Sequence, residues 1–445
     1  MESQFRNGKQ IYSLSTGPSL PEWLSERARR NLNKRDSAIR HRVEILQDFT
    51  MPCASAKIRQ SPDAQYVVAI GTYPPRMRCY QLSDLSLKFE RYVDAEPVDM
   101  VFLGEDYAKF AILGMDRTVE FHAGYGRHES IRVPKFGRAM AYERSTCDLL
   151  VCGSGREVYR FNLDEGRFRE PLLLWSATGS TAAKGNQAHA DGGATCIASS
   201  PTHALHAVGA EDGFLRFYDA RIGAKDNGVN SFVSLDIKSS TAGYGFYEKQ
   251  DGNIGINAQL WNPGEVTSVA FDHSGMYIAA GTKGGCVGLY DMRSSKPLHV
   301  KEHQYGLPIH TVQFHKGSGC VLSADSKLIK IWRSKVAETG PLRGTLDNEQ
   351  ADAGSSIGSV ISNVEGAGGL AHFTVSGDEK DPEGHNSGLL LCASDQPKME
   401  AFFCPALGAA PRWCSYLENI TEELEVSWLI EDSYFVLMKK RDFNF

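Results

Sequence analysis

The stretch EVTSVAFDHSGMYIAAGTKGGCVGLYDMR, residues 265–293, decides the fold. It reads as an apolar strand, a short turn, a second apolar strand ending in a small residue, a tight turn, and a third strand. The same unit returns as ATCIASSPTHALHAVGAEDGFLRFYDAR (194–221) and IHTVQFHKGSGCVLSADSKLIKIWRS (309–334). Weaker copies are SAKIRQSPDAQYVVAIGTYPPRMRCYQL, PVDMVFLGEDYAKFAILGMDRTVEFHAG and RAMAYERSTCDLLVCGSGREVYRFNL. A seventh, LAHFTVSGDEKDPEGHNSGLLLCASDQPKMEAFF, is split by a polar insert. The small residue that ends the second strand aligns as Gly71, Gly114, Gly153, Gly209, Gly281, Ser323 and Ala393. The period is about 40 residues, stretched wherever an insert intervenes. No such unit can bury both faces alone, so the sheets must pack on one another around an axis.

The period, the four-strand unit and the Tyr-Asp or Ile-Trp endings resemble WD repeats, which implies an all-β, seven-bladed WD-repeat β-propeller. The signature is degenerate. His189 and Asp212 have the spacing of a WD repeat's structural His–Asp pair, which ties a blade's outer loop to its inner hairpin. His303 falls by spacing opposite Ser326, and the fifth copy has Gly284 where the aspartate belongs. Three inserts interrupt the propeller of residues 53–405. Residues 176–192 and 335–369 are rich in Gly, Ser and Ala and read as surface loops. Residues 223–261 contain Phe232, Val233, Leu235 and Ile237, so part of this insert is expected to pack on the propeller or on a partner. Gln10–Ser15 is strand-like, and the seventh copy lacks a clear fourth strand after Phe403. The N-terminal strand is therefore expected to complete the last blade, closing the ring and removing sheet edges.

With 42% hydrophobic and 23% charged residues the composition is that of a well-cored globular chain, not a disordered one. A net charge of −6 argues against generalised polyanion binding but leaves room for a local basic patch. No apolar run reaches the roughly 20 residues that span a bilayer. The start, MESQFRNGKQ, does not read as a secretory signal. The ten cysteines include no C-x-x-C pair and sit mostly in apolar strands, as buried free thiols in the cell interior do. There is no phosphate loop and no H-E-x-x-H helix. The single G-x-S-x-G match, around Ser356, lies in a Gly/Ser insert without the strand and helix of a nucleophile elbow. His203 and His206 lack partners at metal-ligand spacing. No catalytic residue, cofactor, metal or small-molecule substrate is expected, and the chain is read as a non-enzyme.

Residues 1–52 combine the N-terminal strand with a basic segment. Ser19-Leu20-Pro21-Glu22 fits a capping box. Leu24, Ala28, Leu32, Ile39, Val43 and Leu46 then fall on one arc of a helix, with Arg27, Arg30, Lys34 and His41 roughly opposite. Unbroken, residues 20–48 would span about 43 Å. The apolar arc calls for cover by the propeller or a partner. The basic arc is either a solvated face or a contact to nucleic-acid backbone or an acidic protein. Trp23, Arg27, Arg30, Lys34 and Arg40 are the candidate contact residues. Residues 406–445 read as a short acidic, helical appendage that suits a protein partner better than RNA.

IYSLSTGPSLPEWL, IRHRVEILQDFTMP, LLVCGSGREVYRFNLDEGRF, GLPIHTVQFH, VLSADSKLIKIW and PALGAAPRWCSYLENITEELE together resemble one family along nearly the whole chain. It is the nucleolar WD-repeat family of nucleolar protein ten, in yeast essential nuclear protein two. The resemblance implies a nucleolar scaffold of the small-subunit processome, acting in early pre-ribosomal RNA processing and small-subunit assembly. Its partners would be other assembly factors, with pre-ribosomal or small nucleolar RNA nearby and no membrane. The family continues into a charged C-terminal extension, whereas this chain stops at RDFNF, and its insert at 335–369 is long for the family. The competing class is a generic WD-repeat adaptor, such as a ubiquitin-ligase substrate receptor or a coat subunit. Co-purification separates the two.

Overall fold

In a computed structural model the structure describes residues 2–6, 9–14, 49–174, 192–219, 221, 229–241, 264–334, 357–366, 368–377, 386–415 and 417. The second strand of each unit explains the architecture. In Tyr66–Gly71 (YVVAIG) every residue is buried. Tyr66, Val68 and Ile70 pack with Met100, Phe110 and Ile112 of the next unit. Val67 and Ala69 pack instead with Leu389, Leu391 and Ala393 of the last unit. A strand covered on both faces has no polar side, so it reads as an uninterrupted apolar run. Each fully buried aliphatic side chain stabilises by about 1.5–3 kcal/mol. The same arrangement repeats between every neighbouring pair of units.

The strands form seven sheets, the blades of a propeller, antiparallel but for one added edge on blade 3. Their first strands are Ser55–Gln60, Pro97–Phe102, Gly137–Glu143, Ala194–Ser199, Val266–Phe271, Thr311–His315 and Leu370–Gly377. Each touches the first strand of both neighbours, the seventh returning to the first, so these strands line the axis. Blade 7 is closed by the N terminus. Lys9–Ser13 pairs antiparallel with Glu400–Phe403, setting Tyr12 opposite Phe403. The expected closing strand is thus present. A further strand, Glu2–Arg6, extends the blade by one beyond that expectation. The seam is locked by the Ser55 hydroxyl, which donates to the Ser394 carbonyl at 3.1 Å and accepts the Ser394 N–H at 3.0 Å.

Two inserts contribute strands. Val233–Asp236 is the outer strand of blade 4, and Val229–Asn230 adds a parallel edge to blade 3. The span 335–369 does not stay outside the blades. Val360–Glu365 is the outer strand of blade 6, pairing with Leu328–Arg333. A short outer strand with a polar half blends into Gly/Ser composition, and here Ser362 and Val364 are both buried. After Phe403 the chain folds back over the seam, where Cys414 and Leu417 join the core between blades 7 and 1. The expected helix over 20–48 and the acidic stretch from Glu418 lie outside the described residues.

Candidate functional site

Of the residues singled out in the sequence, Trp23, Arg27, Arg30, Lys34, Arg40, His189 and Ser356 lie outside the described residues. Asp212 sits in the turn between the second and third strands of blade 4. Its carboxylate accepts the Phe214 N–H at 3.0 Å and pairs with Arg216. The reading of His303 requires correction, because its partner is Asp325 and not Ser326. His303 Nδ1 lies 3.0 Å from Asp325 Oδ2, its Nε2 lies 2.7 Å from Ser323 Oγ, and the Trp332 indole donates to the same hydroxyl at 3.3 Å. The hairpin explains the offset. Blade 6 pairs Ala324 with Ile329, whereas blade 4 pairs Gly209 with Leu215, and the blade 6 turn is one residue shorter. Fixed spacing therefore landed one residue too late. Burial pushes His303 below the usual histidine range, more than Asp325 lifts it. The arrangement ties the loop after blade 5 to the blade 6 hairpin and is structural. His206 is likewise buried, with Nδ1 3.0 Å from Ser199 Oγ. Among the described residues no three His, Cys, Asp or Glu side chains gather as metal ligands do.

The axial channel has a volume of about 500 Å³ and is lined in part by Lys57, Arg59, Asp99, Arg138 and His372. Its charges are engaged with one another. Asp99, buried, takes Lys57 Nζ at 2.9 Å and Arg59 Nη2 at 3.3 Å, and it accepts the Met140 N–H at 2.9 Å. Burial works against its charge, yet the two cations hold it below the ordinary carboxylate range. One carboxylate thereby links blades 1, 2 and 3. Arg138 pairs with Glu211. Burial and the nearby Lys57 and Arg59 push His372 well below the histidine range, which keeps it neutral.

A second feature lies on one face of the ring. Strand order places each blade's turn between its second and third strands on the same face as its link to the next blade. On blades 1–3 these segments join into one ridge. Val93 N–H donates to Pro75 at 3.1 Å, Met115 to Glu96 at 2.8 Å, Val133 to Arg117 at 2.8 Å and Ser154 to Phe136 at 3.0 Å. The ridge exposes Tyr73 (76%), Tyr92 (70%), Met115 (62%) and Phe136 (58%). Arg76 stacks over Tyr92 with Cζ 5.1 Å from the ring centre, and Arg117 over Phe136 at 5.4 Å. Arg132, Lys135 and Arg156 are exposed beside them. Sequence reasoning missed this cluster, because its members come from different turns and share no motif.

The family model described as "Nucleolar protein 10-like, N-terminal domain" matches residues 2–427. The protein named Nucleolar protein 10 in Xenopus tropicalis is 39% identical over 98% of this chain and 55% of its own length. The human protein of that name is 37% identical over 99% of the chain and 55% of its own length. A Saccharomyces cerevisiae protein named Ribosome biogenesis protein ENP2 is 31% identical over 96% of the chain and 51% of its own length. The chain thus spans about half the length of the curated relatives it matches.

Proposed function

The chain belongs to the nucleolar protein 10-like family, and from that premise we propose that it takes part in ribosome biogenesis in the nucleolus as a non-catalytic scaffold. The match over residues 2–427, to relatives named for the nucleolus and for ribosome biogenesis, carries this reading. We assign the chain to the small-subunit processome, where it works in early pre-ribosomal RNA processing beside other assembly factors. A closed propeller suits this work, since seven blades present rigid, chemically distinct faces around one ring and leave only short strand edges at the rim. The basic arc of residues 20–48 is the docking element, with Trp23, Arg27, Arg30, Lys34 and Arg40 as its contact residues. Its apolar arc anchors it.

The test is co-sedimentation with pre-ribosomal particles in cells depleted of the native protein. Arg27→Glu, Arg30→Glu and Lys34→Glu together should reduce co-sedimentation while melting stays nearly unchanged, because exposed substitutions seldom cost more than about 0.5 kcal/mol each. Normal co-sedimentation of that variant would make the basic arc a solvated face. Recovery of the unaltered chain with a ubiquitin ligase or a coat complex, and not with pre-ribosomal RNA, would overturn the assignment.

A further inference from the structure

We propose that the ridge on blades 1–3 binds single-stranded RNA, its exposed rings stacking on bases and its cations meeting the phosphates. The source of that RNA rests on the ribosome-biogenesis reading; the binding chemistry does not.

Two independent properties of the ridge point to this ligand. Tyr73, Tyr92 and Phe136 stand out into solvent on adjoining loops, and it is such clustering, not single exposed rings, that marks an interaction site. A flat aromatic face exposed to water is a stacking platform for any base, and each stacked base strengthens binding without regard to sequence. Unpaired RNA offers such bases, whereas the grooves of duplex RNA do not. The second property is charge. Arg117, Arg132, Lys135 and Arg156 lie among the rings, and two rings carry a guanidinium on one face. Among the described residues carboxylates answer part of this charge, Glu90 by pairing with Arg76 and Asp116 by its field on Arg132, and leave Arg117 and Lys135. Asp94 is paired with Arg127, and Asp116 accepts hydrogen bonds from the backbone and hydroxyl of Thr118 within its own turn. Glu96 is a further one.

An acidic protein segment would answer the cations but would bring no flat partners for three rings. A purely apolar segment would cover the rings and leave the cations desolvated. A base with its phosphate answers both. The other side of the ring is different. Among the described residues, the equivalent loops of blades 4–6 expose one large apolar side chain, Tyr305, and Lys327 lies over its ring.

The experiment measures fluorescence anisotropy of a labelled, mixed-sequence single-stranded RNA of about 12 nucleotides titrated with the full chain. Replacing Tyr73, Tyr92 and Phe136 together by Ala should weaken binding at least tenfold while circular dichroism and melting hold. Arg117→Glu with Lys135→Glu should weaken binding and flatten the log–log salt slope by about 1.4, at roughly 0.7 per lost phosphate contact. A duplex of the same length should bind more weakly than the single strand and should not respond to the ring substitutions. Absence of binding, or ring variants that bind like the unaltered chain, would overturn the proposal. Ring variants that lose particle association but keep their RNA affinity would assign the ridge to a protein partner, which also overturns it. Failure of the ribosome-biogenesis reading shows separately, as an unaltered chain that binds RNA in the cuvette but never enters pre-ribosomal particles.

Discussion

Blade 6 and blade 2 each bury a histidine beside a carboxylate, and the two pairs do different work. His303 is held at both ring nitrogens, by Asp325 and Ser323, and Trp332 donates to the same serine. This tie joins a connecting loop to a hairpin turn. His122 meets Glu120, two residues away on its own strand, at 3.2 Å. It stacks on Phe110 with ring centres 5.1 Å apart, and its Nδ1 is without a hydrogen-bond partner. Glu120 also reaches Arg127 on the next strand at 3.4 Å and the Asp94 backbone in the link from blade 1, so this pair ties by its carboxylate and not by its histidine. The loops of blade 2 carry backbone ties as well, Met115 to Glu96 and Val133 to Arg117, of the same kind that joins His303 to Gly285. At the place of His303 the loops flanking blade 2 carry Val93 and Val133, both buried, while Met115 and Phe136 at other positions of these loops face water. The comparison teaches that the repeat signature is a stability device. Blade 2 holds its loops without it, by backbone bonds and by the Glu120 carboxylate.

The strongest way to break the comparison is Asp325→Ala. It strands buried His303 and leaves the Lys327 and Leu328 N–H groups without their acceptor. Each buried donor left without its acceptor costs about 1–3 kcal/mol, so the three together should cost at least about 3 kcal/mol. Urea denaturation should show that loss, and a change below 1 kcal/mol would mean that the tie does not hold blade 6.

Blade 2 should reveal itself through pH. Burial first, then Arg91 and Arg127, push His122 from an ordinary 6.5 to about 4. Between those values the unfolded chain binds the proton and the folded one does not. Stability is therefore full above about 6.5 and falls as pH drops toward 4, by up to about 3 kcal/mol for this group. Phe in place of His122 keeps the stack on Phe110 and removes the titration. Its melting temperature should decline less than that of the unaltered chain between pH 6.5 and 4. Parallel pH profiles of the two proteins would refute the assignment.

A smaller effect is expected from Ser323→Ala, which removes the hydroxyl shared by His303 and Trp332 but leaves the Asp325 contact. One lost hydrogen-bonding group in a buried network costs about 1–3 kcal/mol. If chemical denaturation shows Ser323→Ala to be as costly as Asp325→Ala, the serine is the centre of the tie. Smallest of all, Phe136→Ala and Tyr73→Ala should each change stability by no more than about 0.5 kcal/mol. A melting shift as large as that of Ser323→Ala would make these rings part of the fold, and not a surface held out for a ligand.

The propeller was legible because its second strands are buried on both faces, which leaves runs such as YVVAIG and DLLVCG with no polar alternation. The closing strand was legible too, since IYSL carries Ile11, Tyr12 and Leu14 into two cores while the seventh unit lacks a partner. The outer strand of blade 6 was not. Its buried face carries Ser362 beside Val364, so Val360–Glu365 lacks a clear apolar alternation and blends into the Gly/Ser stretch before it. Nor was the His303–Asp325 tie legible by spacing, because a hairpin one residue shorter shifts the aspartate without changing the composition.

By itself the sequence determined the ring, its seven units, its closure by the N terminus and its family, because those follow from local period and apolar content. Tertiary structure alone decided what stands next to what on the ring. Tyr73, Tyr92, Met115 and Phe136 occupy separate turns in the chain. They share a ridge because antiparallel order returns every second turn to the same face, and packing of the blades brings those turns together. Asp99 likewise reaches blades 1 and 3 only because the blades converge on the axis. Periodicity records which face of a strand is buried. It carries no term for the neighbour that a closed ring supplies.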